Sequence, residues 1–324
     1  MASSATPAGR RRTAARMLLL ATVFWGVSFP VMKSIQIVQH ALAPENGSWF
    51  VTASMVVFRF GLSGLALALW RRPSWRDVTR LEIYQGVGLG LFGGAGLLFQ
   101  MDGLAYTSAS TSAFLTQAYC VILPILAAAR SRRWPSWPIV IGSVLVCAGV
   151  AILSNVRWGQ WRMGRGEWET ILSSVLFTGQ ILCLEERRFR NNRTTQFTLV
   201  MFGVMALSAA PVALGSMHAA RDWLIIYHSP ALLGFVLILV FLCTLTAYVM
   251  MNHWQPFISA AEAGLIYAAE PLFASLFALF LPGWFAAWGG FDYPNELVTK
   301  NLLIGGSLIT AANLLIQFSA ARET

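Results

Sequence analysis

Charged residues are scarce in this chain of 324 residues. Only 11% of the residues are charged, whereas 56% are hydrophobic and the mean hydropathy is +0.61. A soluble protein of this length covers its core with a polar surface, and this composition does not supply enough polar residues for one. The sequence therefore excludes an ordinary soluble protein and predicts a protein that lies mostly in lipid.

Residues that bind metals or form crosslinks are also few, with four cysteines and four histidines in the whole chain. The cysteines fall in four separate apolar stretches, where they are typical of small packing residues. No spacing of cysteine, histidine or acidic residues resembles a metal motif. We therefore predict no disulfide framework, no metal site and no cofactor, and we expect the protein not to be an enzyme.

Long apolar stretches are abundant, and ten of them approach the ~20 residues that cross a bilayer. The sequence thus predicts an all-α integral membrane protein with ten transmembrane helices. The predicted spans are residues 17–38, 47–70, 81–101, 107–129, 135–154, 168–186, 195–215, 230–252, 258–281 and 298–319.

Positive charge is concentrated at the ends of these stretches. A formal net charge of +9 would suggest a nucleic-acid partner for a soluble protein. Here, most lysines and arginines fall in the segments that ten spans place on the same side as the amino terminus, which is the pattern of cytoplasmic loops. We predict a multi-pass membrane protein with both termini in the cytoplasm, and no nucleic-acid partner.

Parts of the first half return in the second half. The paired segments are 18–26 with 171–179, 141–149 with 304–312 and, more loosely, 107–115 with 258–266. Because each half holds five spans, the second copy must enter the membrane in the opposite sense, so we predict two inverted five-helix repeats that enclose a central binding site. The predicted organisation is a basic cytoplasmic tail at 1–16, a first repeat at 17–154, an outer linker at 155–167, a second repeat at 168–319 and a cytoplasmic tail at 320–324.

Short motifs in both halves resemble the EamA units of the drug/metabolite transporter superfamily. These motifs are Trp25-Gly26-Val27-Ser28-Phe29-Pro30 with Lys33, then Arg59-Phe60, Ala105-Tyr106-Thr107-Ser108-Ala109 leading into Ala113-Phe114-Leu115-Thr116, and Ala269-Glu270-Pro271. The resemblance implies a ten-helix secondary transporter of the bacterial inner (plasma) membrane, most often an exporter of small metabolites or amino acids that uses no ATP. It also implies a ligand cavity lined by spans one, three, four, six, eight and nine.

Glu270 is the leading candidate for substrate binding or coupling. It lies in the middle of the ninth span, where an ionisable side chain costs about 2.5–3.5 kcal/mol and needs a partner or a function. The following residue, Pro271, is expected to kink the helix, and Tyr267 lies on the same helical face as Glu270. Both a protonatable or amine-binding carboxylate and a buried acid bonded to a neighbouring helix fit this pattern.

Two cations and several polar residues complete the candidate site. Arg59 is expected to pair with Glu270 or to bind a substrate carboxylate, and Lys33 either contacts the substrate or extends to the membrane surface. Hydroxyl and amide groups in spans can orient a ligand, although they more often bond one helix to another. The remaining candidates are Trp25, Gln100, Thr116, Gln117, Tyr119 and Gln180.

Gly86, Gly90 and Gly94 follow one another at intervals of four residues in the third span. Small residues at this spacing let a second helix approach closely. We predict that this face serves static packing or a sliding contact during gating, and Pro124 and Pro271 are the other candidates for packing or gating.

Taken together, these features predict a secondary active or facilitative transporter that exports small metabolites, such as amino acids, by alternating access. Its expected partners are a small and possibly zwitterionic substrate, the lipid bilayer and protons, and it is expected to be a monomer or a homodimer. Two alternatives remain, namely an integral-membrane enzyme and a membrane receptor or assembly factor that transports nothing.

Overall fold

The computed structural model describes residues 7–72, 78–130, 134, 136–153, 163–258, 263 and 266–323, and all regular structure in this part of the chain is helical. A π-helix, Ile238–Thr246, joins α9 to α10. The α-helices are α1 Pro7–Leu42, α2 Ser48–Arg71, α3 Arg80–Tyr106, α4 Ala109–Thr116, α5 Tyr119–Arg130, α6 Trp137–Leu153, α7 Arg165–Glu185, α8 Thr194–Ser216, α9 Pro230–Leu237, α10 Ala247–Trp254, α11 Glu270–Ala278, α12 Leu281–Gly289 and α13 Lys300–Glu323.

Five helical segments in the described part of the chain are long and apolar enough to cross a membrane. They are Gly9–Leu42, which is most of α1, then α2, α3 and α8, and finally Pro230–Phe257, which runs from α9 through the π-helix and beyond α10. The bent pair of α11 and α12 would make a sixth. The chain is therefore a multi-pass helical membrane protein, and the ten crossings and their inverted arrangement remain predictions.

Helix α3 lies between α7 and α8, and its glycines permit both contacts. A Cβ atom added at Gly86 would lie 2.5 Å from the Val200 Cβ, and one added at Gly90 would lie 2.6 Å from the Val204 Cβ, both on α8. A Cβ atom at Gly94 would lie 3.0 Å from the Ser208 hydroxyl of the same helix. The glycine stripe therefore packs against α8, whereas a role in gating remains a prediction.

The ninth predicted span is interrupted before Pro271 rather than kinked at it. The chain turns at residues 268–269, and α11 then begins at Glu270 with Pro271 in its first turn, where proline removes no helical hydrogen bond. The largest bend, 50°, lies further along, between α11 and α12. Helical structure also continues to Gly289, beyond the end expected at residue 281.

Several predicted boundaries differ from the helix ends. Helix α1 already begins at Pro7, inside the predicted tail, and α7 begins at Arg165, inside the predicted linker. Most of that linker, residues 154–162, lies outside the described residues, as do residues 1–6 and most of the loose repeat at 258–266. Pro124 lies within α5.

Candidate functional site

A cavity lies where helices from both halves of the chain meet. Its volume is about 90 Å³, which is room for several waters. Its walls come from α1, α2, α3, α4, α5, α7, α10, α11 and the turn before α11. The lining residues are Trp25, Ser28, Arg59, Leu97, Gln100, Thr116, Tyr119, Phe177, Gln180, Ile181, Tyr248, Met251, Tyr267 and Glu270.

Glu270 and Arg59 face this cavity from opposite halves of the chain. Glu270 is half-buried, and the described residues give its carboxylate no hydrogen bond and no ion pair. Arg59 is only 2% exposed. The expected ion pair between them is therefore not formed in this structure, which leaves an acid and a guanidinium presented to the same space.

The π-helix positions Arg59. The wider turn of a π-helix is frequent at functional sites, and here it places Thr244 and Cys243 beside α2. The Arg59 Nε donates to the Thr244 hydroxyl at 2.6 Å, and one Nη donates to the Cys243 carbonyl at 3.4 Å. A second Nη contacts the Met32 sulfur at 3.4 Å. Because a guanidinium has five N–H donors, these contacts fix its plane and leave donors for a ligand.

Aromatic rings form one wall of the cavity. The Trp25 ring lies edge-on to Tyr248, with centroids 5.7 Å apart, and to Tyr267, with centroids 5.6 Å apart. The Trp25 indole N–H is buried and has no hydrogen-bond partner among the described residues. Such a buried donor costs free energy unless a water or ligand accepts its hydrogen bond.

Amides and hydroxyls also line the cavity. Gln100 donates to the Thr116 hydroxyl at 2.9 Å, which ties α3 to α4. The Gln180 side-chain nitrogen on α7 is buried and has no partner in the described part of the chain. Two unpaired donors, from Trp25 and Gln180, thus border the cavity together with the Tyr119 ring.

Two predicted site residues lie away from the cavity lining. The Lys33 ammonium donates to the carbonyls of Leu104, Ala105 and Thr107, at 2.5, 3.0 and 3.1 Å, and so caps the carboxyl end of α3. Gln117 is fully buried and donates to the Tyr267 carbonyl at 3.2 Å. Their geometry is that of residues that hold the helices around the cavity.

Several lining residues were not predicted from the sequence. Ser28 lies one helical turn after Trp25, a spacing that could have identified it. Tyr248, Phe177 and Met251 gave no such signal, because aromatic and sulfur side chains in an apolar span look the same whether they face lipid, another helix or a cavity.

A larger vestibule lies at the amino end of α3. Its volume is about 840 Å³, and its lining includes Gln85, Asn192, Asn252, His253 and Gln255. The Tyr267 hydroxyl, on the cavity side, donates to the Gln255 side chain at 2.8 Å. This hydrogen bond therefore lies between the cavity and the vestibule.

Comparison with known proteins agrees with this architecture. Residues 12–155, which include α1 to α6, match the EamA-like transporter family. An uncharacterized transporter of Archaeoglobus fulgidus is 24% identical over 262 residues, which are 81% of this chain and 76% of that one. A solved crystal structure has the same fold, with a TM-score of 0.54, 18% identity, and coverage of 96% of this chain and 98% of the other.

Proposed function

Because residues 12–155 match the EamA-like transporter family, we propose that the chain is an EamA-type secondary transporter of the drug/metabolite superfamily that exports small polar metabolites such as amino acids by alternating access. One observation carries this proposal. Glu270 and Arg59 line a single cavity from different halves of the chain without forming an ion pair. In a structural ion pair the two groups would be in contact, whereas here both charged groups remain available to bind a solute.

The chemistry of the cavity favours a zwitterion with an apolar portion. Glu270 is suited to an ammonium group and Arg59 to a carboxylate, which a guanidinium binds with directed hydrogen bonds. The unpaired donors of Trp25 and Gln180 fit further acceptor atoms. Trp25, Phe177 and the three tyrosines supply apolar and aromatic surface for the rest of the substrate.

The position of the vestibule supports alternating access. The vestibule adjoins the amino end of α3, and the distribution of arginines predicts that this end faces the cytoplasm. With both termini in the cytoplasm of a bacterial inner membrane and two inverted repeats, a substrate would enter from this vestibule once the contact between Tyr267 and Gln255 opens. Release would follow at the carboxyl end of α3.

A growth-protection screen tests the proposal first. Cells that express the protein are challenged with toxic analogues of amino acids, nucleosides and amines, and protection against amino-acid analogues is expected. Purified protein in proteoliposomes then transports the protective compound, and Glu270→Gln abolishes this transport while the protein still folds.

The matched control is Glu45→Gln, because Glu45 is an exposed acid outside the cavity. This variant should transport like the unmodified protein. If no solute of any of the three classes crosses faster than in empty liposomes, or if Glu270→Gln transports normally, the proposed function is wrong.

A further inference from the structure

A second group of buried acids lies at the carboxyl end of α3, away from the cavity. Asp102 on α3 is fully buried, and Glu169 on α7 has a side chain that is 13% exposed. Their carboxyl groups lie close together, because both contact the same guanidinium group, that of Arg165. Gly103 permits this approach, because a Cβ atom added there would lie 3.1 Å from the Glu169 Cβ and 2.7 Å from the Gly166 carbonyl oxygen.

A single arginine serves both acids. Arg165 forms an ion pair with Asp102 through one Nη, and its Nε donates to Glu169 at 2.7 Å. Its other Nη donates to the Tyr106 hydroxyl at 2.7 Å. Two carboxylates against one guanidinium leave one negative charge uncompensated in a largely buried place, which is unfavourable.

One oxygen of each carboxyl group remains without a partner. The Asp102 Oδ1 and the Glu169 Oε2 are both buried and accept no hydrogen bond from the described residues. A hydrogen atom held by one of these carboxyl groups and donated to the other would satisfy both oxygens and remove the excess charge. A metal cation would need more ligands than these two oxygens offer, since hard cations take about six or more.

We propose that Asp102, Glu169 and Arg165 form a proton-binding site in which the two carboxyl groups share one proton. The side chain of Arg165 is 42% exposed, so the site lies next to the protein surface and its proton can exchange with water on that side. With the topology proposed above, that side is the exterior.

The site adjoins the wall of the cavity. Thr170 follows Glu169 in α7, and its hydroxyl lies 3.5 Å from that of Ser112 on α4. One turn later on α4, the Thr116 hydroxyl bonds back to the Ser112 carbonyl and accepts from Gln100, which lines the cavity. Loss of the shared proton would make the two acids repel each other and strain this α3–α7–α4 contact, which offers a route for coupling to transport; that last step rests on the proposed function.

Other ionisable groups near the site already have separate partners. Glu167, on the same turn as Glu169, accepts from the Thr107 hydroxyl at 3.0 Å, and Glu296 accepts from the backbone of Ala109 at 2.7 Å. The sequences of α4 and α8, which both pack on α3, contain no charged residue. A separate pocket beside the site is lined by Tyr106, Lys33, His40 and Glu45. Together with Glu167 and Glu296, these are the ionisable groups around the site in the described part of the chain.

Infrared spectroscopy of the purified full-length protein tests the site without any substrate. The unmodified protein in sodium-free buffer should show a carbonyl-stretch band of a protonated carboxyl group that shifts on exchange into D2O. Glu169→Gln and Asp102→Asn should each lose this band, because each leaves one carboxylate for one arginine and removes the need for the proton.

Two controls separate this site from other acids. Glu167→Gln removes the neighbouring acid and should keep the band, and Glu270→Gln should also keep it, whatever its effect on transport. If Glu169→Gln elutes as an aggregate, Glu169→Asp should show the band at a changed frequency. A band that survives both Glu169→Gln and Asp102→Asn, a band lost in Glu167→Gln, or its absence from the unmodified protein would overturn the proposal.

Discussion

Two glutamates within the helical bundle, the buried Glu82 and the half-buried Glu270, have opposite surroundings. Glu82, near the amino end of α3, is 1% exposed and accepts four hydrogen bonds. One comes from the Thr79 backbone at 2.8 Å, and three come from the Arg193 backbone N–H, Nε and Nη2 at 3.0, 2.8 and 3.0 Å. Glu270, at the cavity, has no such donor in the described part of the chain.

The difference is the one that we expect between a structural acid and a functional acid. Glu82 completes a capping box with Thr79 and joins the start of α3 to the start of α8, so its charge is used within the fold. An acid at a lipid-embedded position with no donor is costly to keep. Its retention is explained if a solute or a proton supplies the missing partner.

The largest expected effect comes from Glu270→Gln. Loss of a charge-assisted contact with the substrate costs about 3 kcal/mol, which corresponds to roughly a hundredfold loss of transport. Thermal stability should stay the same or increase, because the variant removes a charge that has no partner among the described residues. Uptake into proteoliposomes and a thermal unfolding curve measure the two quantities. A variant that unfolds more easily and transports normally would show that Glu270 has a structural role, like Glu82.

The opposite result is expected for Glu82→Gln. An uncharged amide cannot replace the four hydrogen bonds that the carboxylate accepts, and its NH2 group faces other donors. The free energy of unfolding should fall by about 2 kcal/mol, whereas transport per folded molecule should remain within about twofold, a change of less than 1 kcal/mol. Thermal unfolding in detergent, with transport normalised to folded protein, provides the measurement. A large loss of transport at unchanged stability contradicts the structural role.

Gly90→Ala should also affect the stability of the helix packing rather than the cavity. The new Cβ would lie 2.6 Å from the Val204 Cβ, and overpacking of this kind costs about 1–2 kcal/mol. Gly203→Ala is the matched control, because a Cβ atom there meets nothing within 4 Å and alanine favours the helix by about 1 kcal/mol. The two variants should therefore shift the unfolding temperature in opposite directions, and equal shifts would argue against a close α3–α8 contact.

Lys33→Met is expected to have the smallest effect. It removes an ammonium group that caps three carbonyls at the carboxyl end of α3, so stability should fall by about 1 kcal/mol. The apparent affinity for the substrate should not change, because Lys33 does not line the cavity. Transport measured over a series of substrate concentrations gives this affinity. A marked loss of affinity would indicate that Lys33 contacts the substrate.

Residue type and position predicted much of the candidate site. Eight of the residues predicted for the site are polar or aromatic residues within predicted spans, and all eight line one cavity. They are Trp25, Arg59, Gln100, Thr116, Tyr119, Gln180, Tyr267 and Glu270. Their role in binding remains a prediction. Lys33 and Gln117 carry the same polar signal, but their partners are backbone carbonyls, and a sequence pattern does not distinguish a carbonyl from a ligand.

Asp102 shows why the rest could not be predicted. At the end of a predicted span it resembles an ordinary interfacial acid, yet it is fully buried and paired with Arg165, 63 residues away. The Arg59 Nε likewise meets Thr244, which is 185 residues away. Such pairs depend on how helices that are distant in sequence pack against each other, so a local sequence pattern does not predict them.

The amino-acid sequence by itself determined that this chain forms apolar helices in a membrane and where most of them begin, because hydropathy and helix signals are local properties. Only the tertiary structure decided which buried polar groups are satisfied and which are not. Glu82 has four donors while Glu270 has none among the described residues, since hydrogen-bond partners in lipid come from neighbouring helices rather than from water.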